Sequence, residues 1–422
     1  MKFFRPVYLS KKSKARLGEI KTDHGIIKTP AFAPCGTKGT IKALLPSLIK
    51  NIGIQTAFVN TYHLVTHPGA NIIEKAGGIH KYSQLNIPLM SDSGGFQVFS
   101  LARNDKARDG VQVSLRGDEK PFLVKISEDG VKFRSTFDGA LIEFTPEKSM
   151  EYQRQIGADI NIAFDECTYY PATHEYAEKA MERTHNWLIR CMKTRHRVFS
   201  TASPQGGPRR LSQKQVSSFC PKQYLYGVIQ GGTFEDLRKK SAEFIVSQNT
   251  PGVAIGGVSV GESKKEMRDQ VRWISDYLPK DRPVHLLGVG QIDDIIDLVK
   301  YGVDTFDCSE PTRLARMGQI YQAQISVFST ASPQRGPRRL SQKQKSLLSG
   351  QTDILKSIYK ADFSPVDENC NCYVCSNFTK SYLHHLFKQR EILGYTLATF
   401  HNLWVMERLF DKIREMIINS EL

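Results

Sequence analysis

Five strand-like runs in this chain end on groups that can do chemistry. Asp92 lies in SDSGGFQ after the apolar run IPLM, and Asp165 and Glu166 follow INIAF. Gln230 follows YLYGVI and precedes Gly231 and Gly232. Gly256 and Gly257 close VAI, with Glu262 just beyond, and Asp307 follows VDTF and precedes Cys308. One acid at a strand end is commonly the N-cap of the next helix. Several on one rim suit substitution at a glycosidic carbon: one carboxylate attacks the anomeric centre while another group manages the proton of the departing base. Paired glycines let the backbone approach a planar base closely, because glycine carries no side chain. A carboxylate and an amide together read the donor and acceptor edges of a purine, and Phe96 is placed to stack on it. Arg313 and Arg316, just after Asp307, are candidates for the flanking phosphates. Residue types alone reach a hydrolase or transferase acting on a nucleoside linkage. They do not separate base exchange from hydrolysis.

A second constellation lies near the C-terminus. Cys370, Cys372 and Cys375 fall within six residues, and His401 follows after 25 more. Three thiolates and one imidazole are the donor set of a tetrahedral structural Zn2+, with no position left for water. His384 and His385 are rival fourth ligands within an amphipathic run. His401 is favoured because it gives the chain a roomier return. Metal binding there is expected to supply folding energy for the segment around it.

The strand-end residues must be held by a repeating scaffold. IQTAFVNTYHL, IPLMSDSGGF, ADINIAFDEC, YLYGVIQGG, GVAIGGVSVGE, PVHLLGVG and GVDTFDCSEPTR are short apolar, β-prone runs that end in polar or glycine-rich segments. Helix candidates separate several of them, including Tyr176 to Met192, Thr233 to Gln248 and Ser263 to Leu278. Such strand–loop–helix units predict an α/β fold. A shared polar rim predicts a closed (β/α)8 TIM barrel with its chemistry at the C-terminal face. The alternative is an open doubly wound sheet, but no clean GxGxxG follows the first strand. The expected division is 1–365 as the catalytic barrel with its N-terminal strands, and 366–422 as a zinc-binding helical subdomain.

One segment stands apart. VFSTASPQGGPRRLSQKQ (198–215) recurs as VFSTASPQRGPRRLSQKQ (327–344), differing only at Gly206 against Arg335. Few apolar residues and many Ser, Gln, Pro and Arg make it an expected surface insertion rather than core. The formal net charge is +15, and the two copies supply seven of those charges. The remaining +8 still favours a polyanionic partner. No run approaches the ~20 apolar residues that span a bilayer, and the N-terminal stretch lacks a continuous apolar core. Eight cysteines in 422 residues do not make a disulfide scaffold. A cytoplasmic protein without membrane association is expected.

With these segments in view, the chain resembles the bacterial queuine tRNA-ribosyltransferases, also called tRNA-guanine transglycosylases. The resemblance rests on NTYHL (60–64), SDSGGFQVFS (91–100), FDEC (164–167), YGVIQGG (226–232), IGGVSVGE (255–262), FDCSEPTR (306–313) and the CxCxxC…H set. They run in family order and cover nearly the whole chain outside the repeats. It implies that Asp307 is the nucleophile at C1′ of the wobble guanosine, and that Asp92 is the general acid/base for the exchanged bases. Asp165, Gln230 and Gly257 would recognise the base, with Ser93 bordering its pocket and Phe96 stacking on it. Val258 would receive the aminomethyl group of 7-aminomethyl-7-deazaguanine through its backbone carbonyl, with Glu262 supporting that peptide. Cys370, Cys372, Cys375 and His401 would hold one structural Zn2+. The implied partners are tRNAs with a GUN anticodon (Asp, Asn, His, Tyr), read through a U-G-U sequence, and a second copy of the chain in a homodimer. Val258 and Ser259 depart from the family's usual Leu-Ala, and Ser309 and Glu310 from apolar residues, the latter adding a charge near the nucleophile. An archaeal-type relative would carry a further RNA-binding domain, whereas about 20 residues follow His401. A non-catalytic partner subunit would lack the pair Asp92 and Asp307.

Overall fold

Strands with little charge along their whole length form the centre of the molecule. The structure, a computed structural model, describes residues 2–96, 122–135, 137–200, 222–323 and 350–422. Numbered along the chain, the strands are β1 (Phe4–Leu9), β2 (Arg16–Thr22), β3 (Gly25–Thr29), β4 (Ala31–Pro34), β5 (Ala57–Val59), β6 (Leu89–Ser91), β7 (Phe122–Ser127) and β8 (Gly130–Arg134). They continue as β9 (Leu141–Phe144), β10 (Ile160–Ile162), β11 (Tyr224–Ile229), β12 (Gly252–Ile255), β13 (Val284–Leu286), β14 (Thr305–Cys308), β15 (Gln319–Tyr321) and β16 (Gln351–Asp353). Every residue of β4, β5, β6 and β10 to β13 is buried. That is the pattern of a parallel sheet covered on both faces.

Eight of these strands pair in parallel in the order β4-β14-β13-β12-β11-β10-β6-β5. A parallel bridge between Cys35 and Phe58 joins the two ends, and Gly36 N–H donates to Phe58 C=O at 2.6 Å. The sheet is thereby closed into the expected (β/α)8 barrel. Helices His174–Ser200, Glu235–Ser247, Lys264–Ile274 and Ile292–Val299 cover it. The third is fixed by a capping box, Ser263 with Glu266, and ends at Ile274, earlier than its periodicity predicts.

The antiparallel sheet β1-β2-β3 lies across the end where the barrel strands begin. Its Phe4, Ile20 and Ile27 join Ala33, Phe58, Ile162, Val228 and other inward residues of the barrel in one buried cluster. A buried ion pair anchors it: Arg16 of β2 grips Asp304, donating from Nε at 2.9 Å, and also donates to the carbonyls of Pro279 and Arg282, both at 2.8 Å. Asp304 in turn accepts from Val284 N–H at 2.7 Å. Arg16→Ala strands that carboxylate in the core, and the expected loss is about 3–5 kcal/mol. A urea unfolding midpoint measured on both proteins checks it.

Two features were not separated from the barrel repeat in the sequence. Strands β7, β8 and β9 form their own antiparallel sheet, and β15 pairs with β16 beyond the last barrel strand. The helix Ile392–Ile418 packs its Phe410 ring near Phe32 (6.1 Å between centroids) and Phe306 (5.9 Å). The C-terminal segment thus rests on β4 and β14. The repeat copy 327–344 lies outside the described residues, as does 198–215 beyond Ser200. Among the described residues no helix is long and apolar enough to cross a membrane.

Candidate active site

Three of the sequence-selected acids, Asp92, Asp165 and Asp307, meet at the ends of the barrel strands; Glu262 lies beyond the cavity wall, and Glu166 is turned away, paired with Arg183 and accepting from the Tyr176 hydroxyl at 2.6 Å. A cavity of about 350 Å³ is lined by Asp92, Ser93, Phe96, Asp165, Gln230, Gly257, Val258 and Asp307, with Cys35, Asn60, Cys167 and Ser259 among its other walls. β4, β5, β6, β10, β11, β12, β13 and β14 each contribute, which is why residues spread over more than 270 positions converge.

Asp307 sits near the end of β14, 7% exposed. Its Oδ1 accepts from Gly288 N–H at 3.0 Å and lies 3.1 Å from His285 Nε2. Its Oδ2 meets the Cys35 thiol at 3.8 Å. Across the cavity, Asp92 is held by the segment after β5. Its Oδ1 accepts from Thr61 N–H at 2.7 Å and Gly94 N–H at 3.2 Å, and its Oδ2 accepts from the Asn60 amide. Thr61 Oγ1 donates to the Asp92 carbonyl at 2.6 Å. Both carboxylates are therefore oriented before any ligand arrives.

Asp165 forms the floor with Ser93 and Gln230. Ser93 Oγ donates to its Oδ1 at 3.0 Å and Gln230 Nε2 to its Oδ2 at 2.8 Å. Burial pushes the Asp165 carboxyl up to about 6; the two hydrogen bonds oppose that push. Gln230 Oε1 is buried without a hydrogen-bond partner among the described residues. A buried acceptor without a partner calls for one, and a ligand's N–H group in the adjoining cavity would supply it. The glycines are required by contact: a Cβ on Gly257, whose φ is +63°, would stand 2.2 Å from Gln230 Oε1, and one on Gly95 would stand 2.6 Å from the Asp165 carbonyl.

Beneath the glycine loops lies Arg238, fully buried. It donates to the carbonyls of Gly232 (2.7 Å), Gly256 (2.6 Å) and Gly257 (2.7 Å), and to Gln270 Oε1 (2.6 Å). Burial lowers it to about 10, so it stays cationic at neutral pH. One side chain thus pins the glycine loops that follow β11 and β12. Beyond them, Glu262 accepts from Ser259 N–H and, at 2.9 Å, from Val260 N–H. Ser259 takes a left-handed φ of +59°, unusual for a residue with a side chain. A trans peptide points its N–H and C=O opposite ways, so the Val258 carbonyl is directed away from Glu262.

Phe96 stands at the cavity mouth, 48% exposed. Arg313 is exposed and Arg316 half-buried on the helix Glu310–Arg316, with Arg316 Nη1 donating to Thr312 C=O at 2.7 Å. Desolvation, with Arg313 nearby, lowers the Arg316 guanidinium from its usual value.

The Cys370, Cys372, Cys375 and His401 ligand atoms all lie within 4.8 Å of one another, away from the cavity. His401 Nδ1 is 3.5 Å from Cys372 Sγ and 3.3 Å from Cys375 Sγ. Its Nε2 lies 2.8 Å from the Tyr321 carbonyl. That contact places the proton on Nε2 and leaves Nδ1 as a donor atom toward the thiols. His384 is not part of the converging set, and its Nδ1 lies 2.7 Å from the Ile354 carbonyl.

Sequence reasoning missed Asn60, His285, Arg238 and Cys35. Asn60 opens NTYHL and His285 lies in PVHLLGVG, so both were within segments of interest. Arg238 falls within the helix candidate Thr233 to Gln248, where a basic residue is ordinarily solvated.

The fold and site define a closed (β/α)8 barrel with paired carboxylates at its mouth and a separate Cys3His metal-binding cluster. A family model described as "Queuine tRNA-ribosyltransferase" matches residues 11–422. A queuine tRNA-ribosyltransferase of Thermoanaerobacter pseudethanolicus is 41% identical over 419 residues, 99% of this chain and 94% of that protein. Those of Aquifex aeolicus (40%; 97% and 93% of the two chains) and Synechococcus elongatus (39%; 97% and 89%) are similar over comparable spans. The chain belongs to the queuine tRNA-ribosyltransferase family.

Proposed function

We propose that this enzyme exchanges the guanine at the anticodon wobble position of tRNA for 7-aminomethyl-7-deazaguanine, through an ester between Asp307 and the ribose. The observation that carries it is the fixed Asp307 carboxylate in one cavity with Asp92 and the Asp165–Gln230 floor. Asp307 forms a bond to C1′ as the C1′–N9 bond breaks, and the electron pair leaves with guanine, which takes a proton from Asp92. Asp92 then accepts the N9 proton of the incoming base as N9 attacks C1′ and the Asp307 carboxylate departs. Net hydrolysis is avoided when a base, not water, occupies the floor.

Asp165 accepts from the purine-edge N–H groups, and Gln230 Oε1 satisfies its orphan valence in the same way. Gly257 keeps the wall open, Ser93 holds Asp165, and Phe96 covers the base face. Glu262 holds the Ser259 and Val260 N–H groups, which frees the Val258 carbonyl for the ammonium of the aminomethyl group. Arg313 and Arg316 reach toward phosphates beside the wobble nucleotide. The substrates are tRNAs with a GUN anticodon, for Asp, Asn, His and Tyr. The active form is a cytoplasmic homodimer. Zn2+ on Cys370, Cys372, Cys375 and His401 would braid the C-terminal segment and takes no part in the reaction.

Labelled guanine offered with purified tRNA-Tyr tests the activity: incorporation at the wobble position is expected, and none by the folded, metal-loaded protein overturns it. Acid should weaken base capture. Asp165 must be ionised to accept two N–H groups, so the KM for guanine is expected to rise as pH falls below about 6, approaching roughly tenfold per pH unit for one proton. Initial rates from pH 5 to 8 at saturating tRNA check this. In the empty protein the sign reverses. A carboxyl raised above its unfolded value contributes stability at low pH, and that contribution is lost as pH rises through about 6.

A further inference from the structure

The two oxygens of Asp307 are unequal, and one backbone N–H and one side chain make them so. Oδ1 is engaged by Gly288 N–H at 3.0 Å and by His285 Nε2 at 3.1 Å. Among the described residues, Oδ2 meets only the Cys35 thiol, at 3.8 Å. His285 stands on β13 directly opposite Thr305 of β14, one pleat below the nucleophile. It is fully buried, with the Phe58 ring stacked on it at 5.5 Å and 15°. Its Nδ1 lies 2.9 Å from Thr305 Oγ1. An ionised carboxylate only accepts, so the imidazole proton must be on Nε2. Nδ1 is then the acceptor, and the Thr305 hydroxyl donates to it. The chain Thr305–His285–Asp307 has a single consistent direction.

We propose that His285 is the positioning residue of the nucleophile: it ties down Oδ1 so that Oδ2 is the oxygen that attacks C1′. The inference rests on Asp307 being the nucleophile. As the Oδ2–C1′ bond forms and the C1′–N9 pair leaves with guanine, Oδ1 changes from a carboxylate oxygen to an ester carbonyl. Hydrogen bonds to charged acceptors are the stronger ones, so His285 favours the free carboxylate over the ester. It therefore aims the attack and also makes the carboxylate a better leaving group when the second base arrives.

Three variants test this against the wild type: His285→Phe, His285→Gln and Thr305→Val. The Phe variant removes the donor and keeps an apolar ring against Phe58. Its kcat for guanine exchange is expected to fall by roughly 10- to 100-fold, the cost of a misaimed reactive group, with KM for tRNA unchanged. The ratio of trapped enzyme–tRNA ester to free enzyme, read on a denaturing gel, should rise several-fold. The Gln variant restores an N–H near the Nε2 position and should recover most of kcat. Thr305→Val lets the imidazole proton leave Nε2, and should lower kcat and raise the ester ratio in the same direction even if the Phe variant does not fold. Wild-type kcat in His285→Phe or in Thr305→Val, or a Gln variant as slow as Phe, overturns the assignment. Asp307→Asn run alongside separates the two levels. If that variant still exchanges guanine, the nucleophile itself is misassigned. If it is silent while the His285 and Thr305 variants behave as wild type, only the positioning role falls.

Discussion

Asp307→Asn should stop guanine exchange and erase the enzyme–tRNA ester in the same sample, while tRNA still binds. The substitution is nearly isosteric. The amide oxygen can take the place of Oδ1 and accept from Gly288 N–H and His285 Nε2 as the carboxylate does. That puts the amide nitrogen toward the cavity, next to the Cys35 thiol. An amide nitrogen, its lone pair delocalised, does not attack an anomeric carbon. Fold and pocket are kept and the reacting atom is lost. Removal of an enzyme's nucleophile costs on the order of 10^4-fold in kcat or more. The measurement is incorporation of labelled guanine together with a denaturing gel for the adduct. Retention of even about a hundredth of the wild-type rate, far above that expectation, would transfer the nucleophile's role to another carboxylate of the cavity, with Asp92 first in line.

Removing the metal should act through the fold rather than the chemistry. Three thiols and an imidazole converge within 4.8 Å, a closed set that suits a tetrahedral ion. The segment 370–375, which enters the short helix Tyr373–Asn377, and the helix Ile392–Ile418 are joined there, and that second helix does more than carry His401. Its Asn402 accepts from Tyr321 N–H at 2.9 Å and donates to the carbonyls of Pro311 (3.2 Å) and Gln319 (3.0 Å). Pro311 lies four residues after Asp307. Structural zinc sites contribute about 10–16 kcal/mol of apparent binding free energy near neutral pH, and that energy is folding energy. Cys372→Ser, or exhaustive chelation, is expected to lower Tm by at least roughly 10 °C and to abolish exchange with it. Metal content per chain and thermal melts with and without chelator provide the check. A metal-free protein as stable as the untreated one would mean that the thiols are packed rather than ligating.

The residues legible in the sequence share one property: their chemistry is local. Asp92, Asp165, Gln230 and Asp307 each follow an apolar run, so a strand-end position could be read without knowing the neighbouring strand. The metal set was legible from cysteine spacing. The preference for His401 over His384 was also read from spacing, and the structure brings His401 to the three thiols. His285 was not legible, because its meaning depends on β13 lying beside β14 with His285 opposite Thr305. Arg238 was hidden for a similar reason. Its partners Gly232, Gly256 and Gly257 belong to two different strand-end loops, and a basic residue on an amphipathic helix is ordinarily solvated. The sheet β7-β8-β9 escaped notice because its strands are short and interrupted by charges such as Lys132 and Glu143, unlike the apolar runs that mark the barrel.

The sheet β1-β2-β3 across the foot of the barrel has a consequence for traffic. With Phe4, Ile20 and Ile27 filling that end, the catalytic chamber is closed at its foot, and among the described residues its doorway is at the strand-end face. In the proposed exchange, outgoing guanine and incoming base use that doorway in turn while the RNA stands over it. The two bases cannot pass one another, so the chamber must be empty for an instant between them. In that instant the only other nucleophile small enough to slip past the RNA is water, and the rate at which the second base arrives decides how often the ester survives to complete the swap.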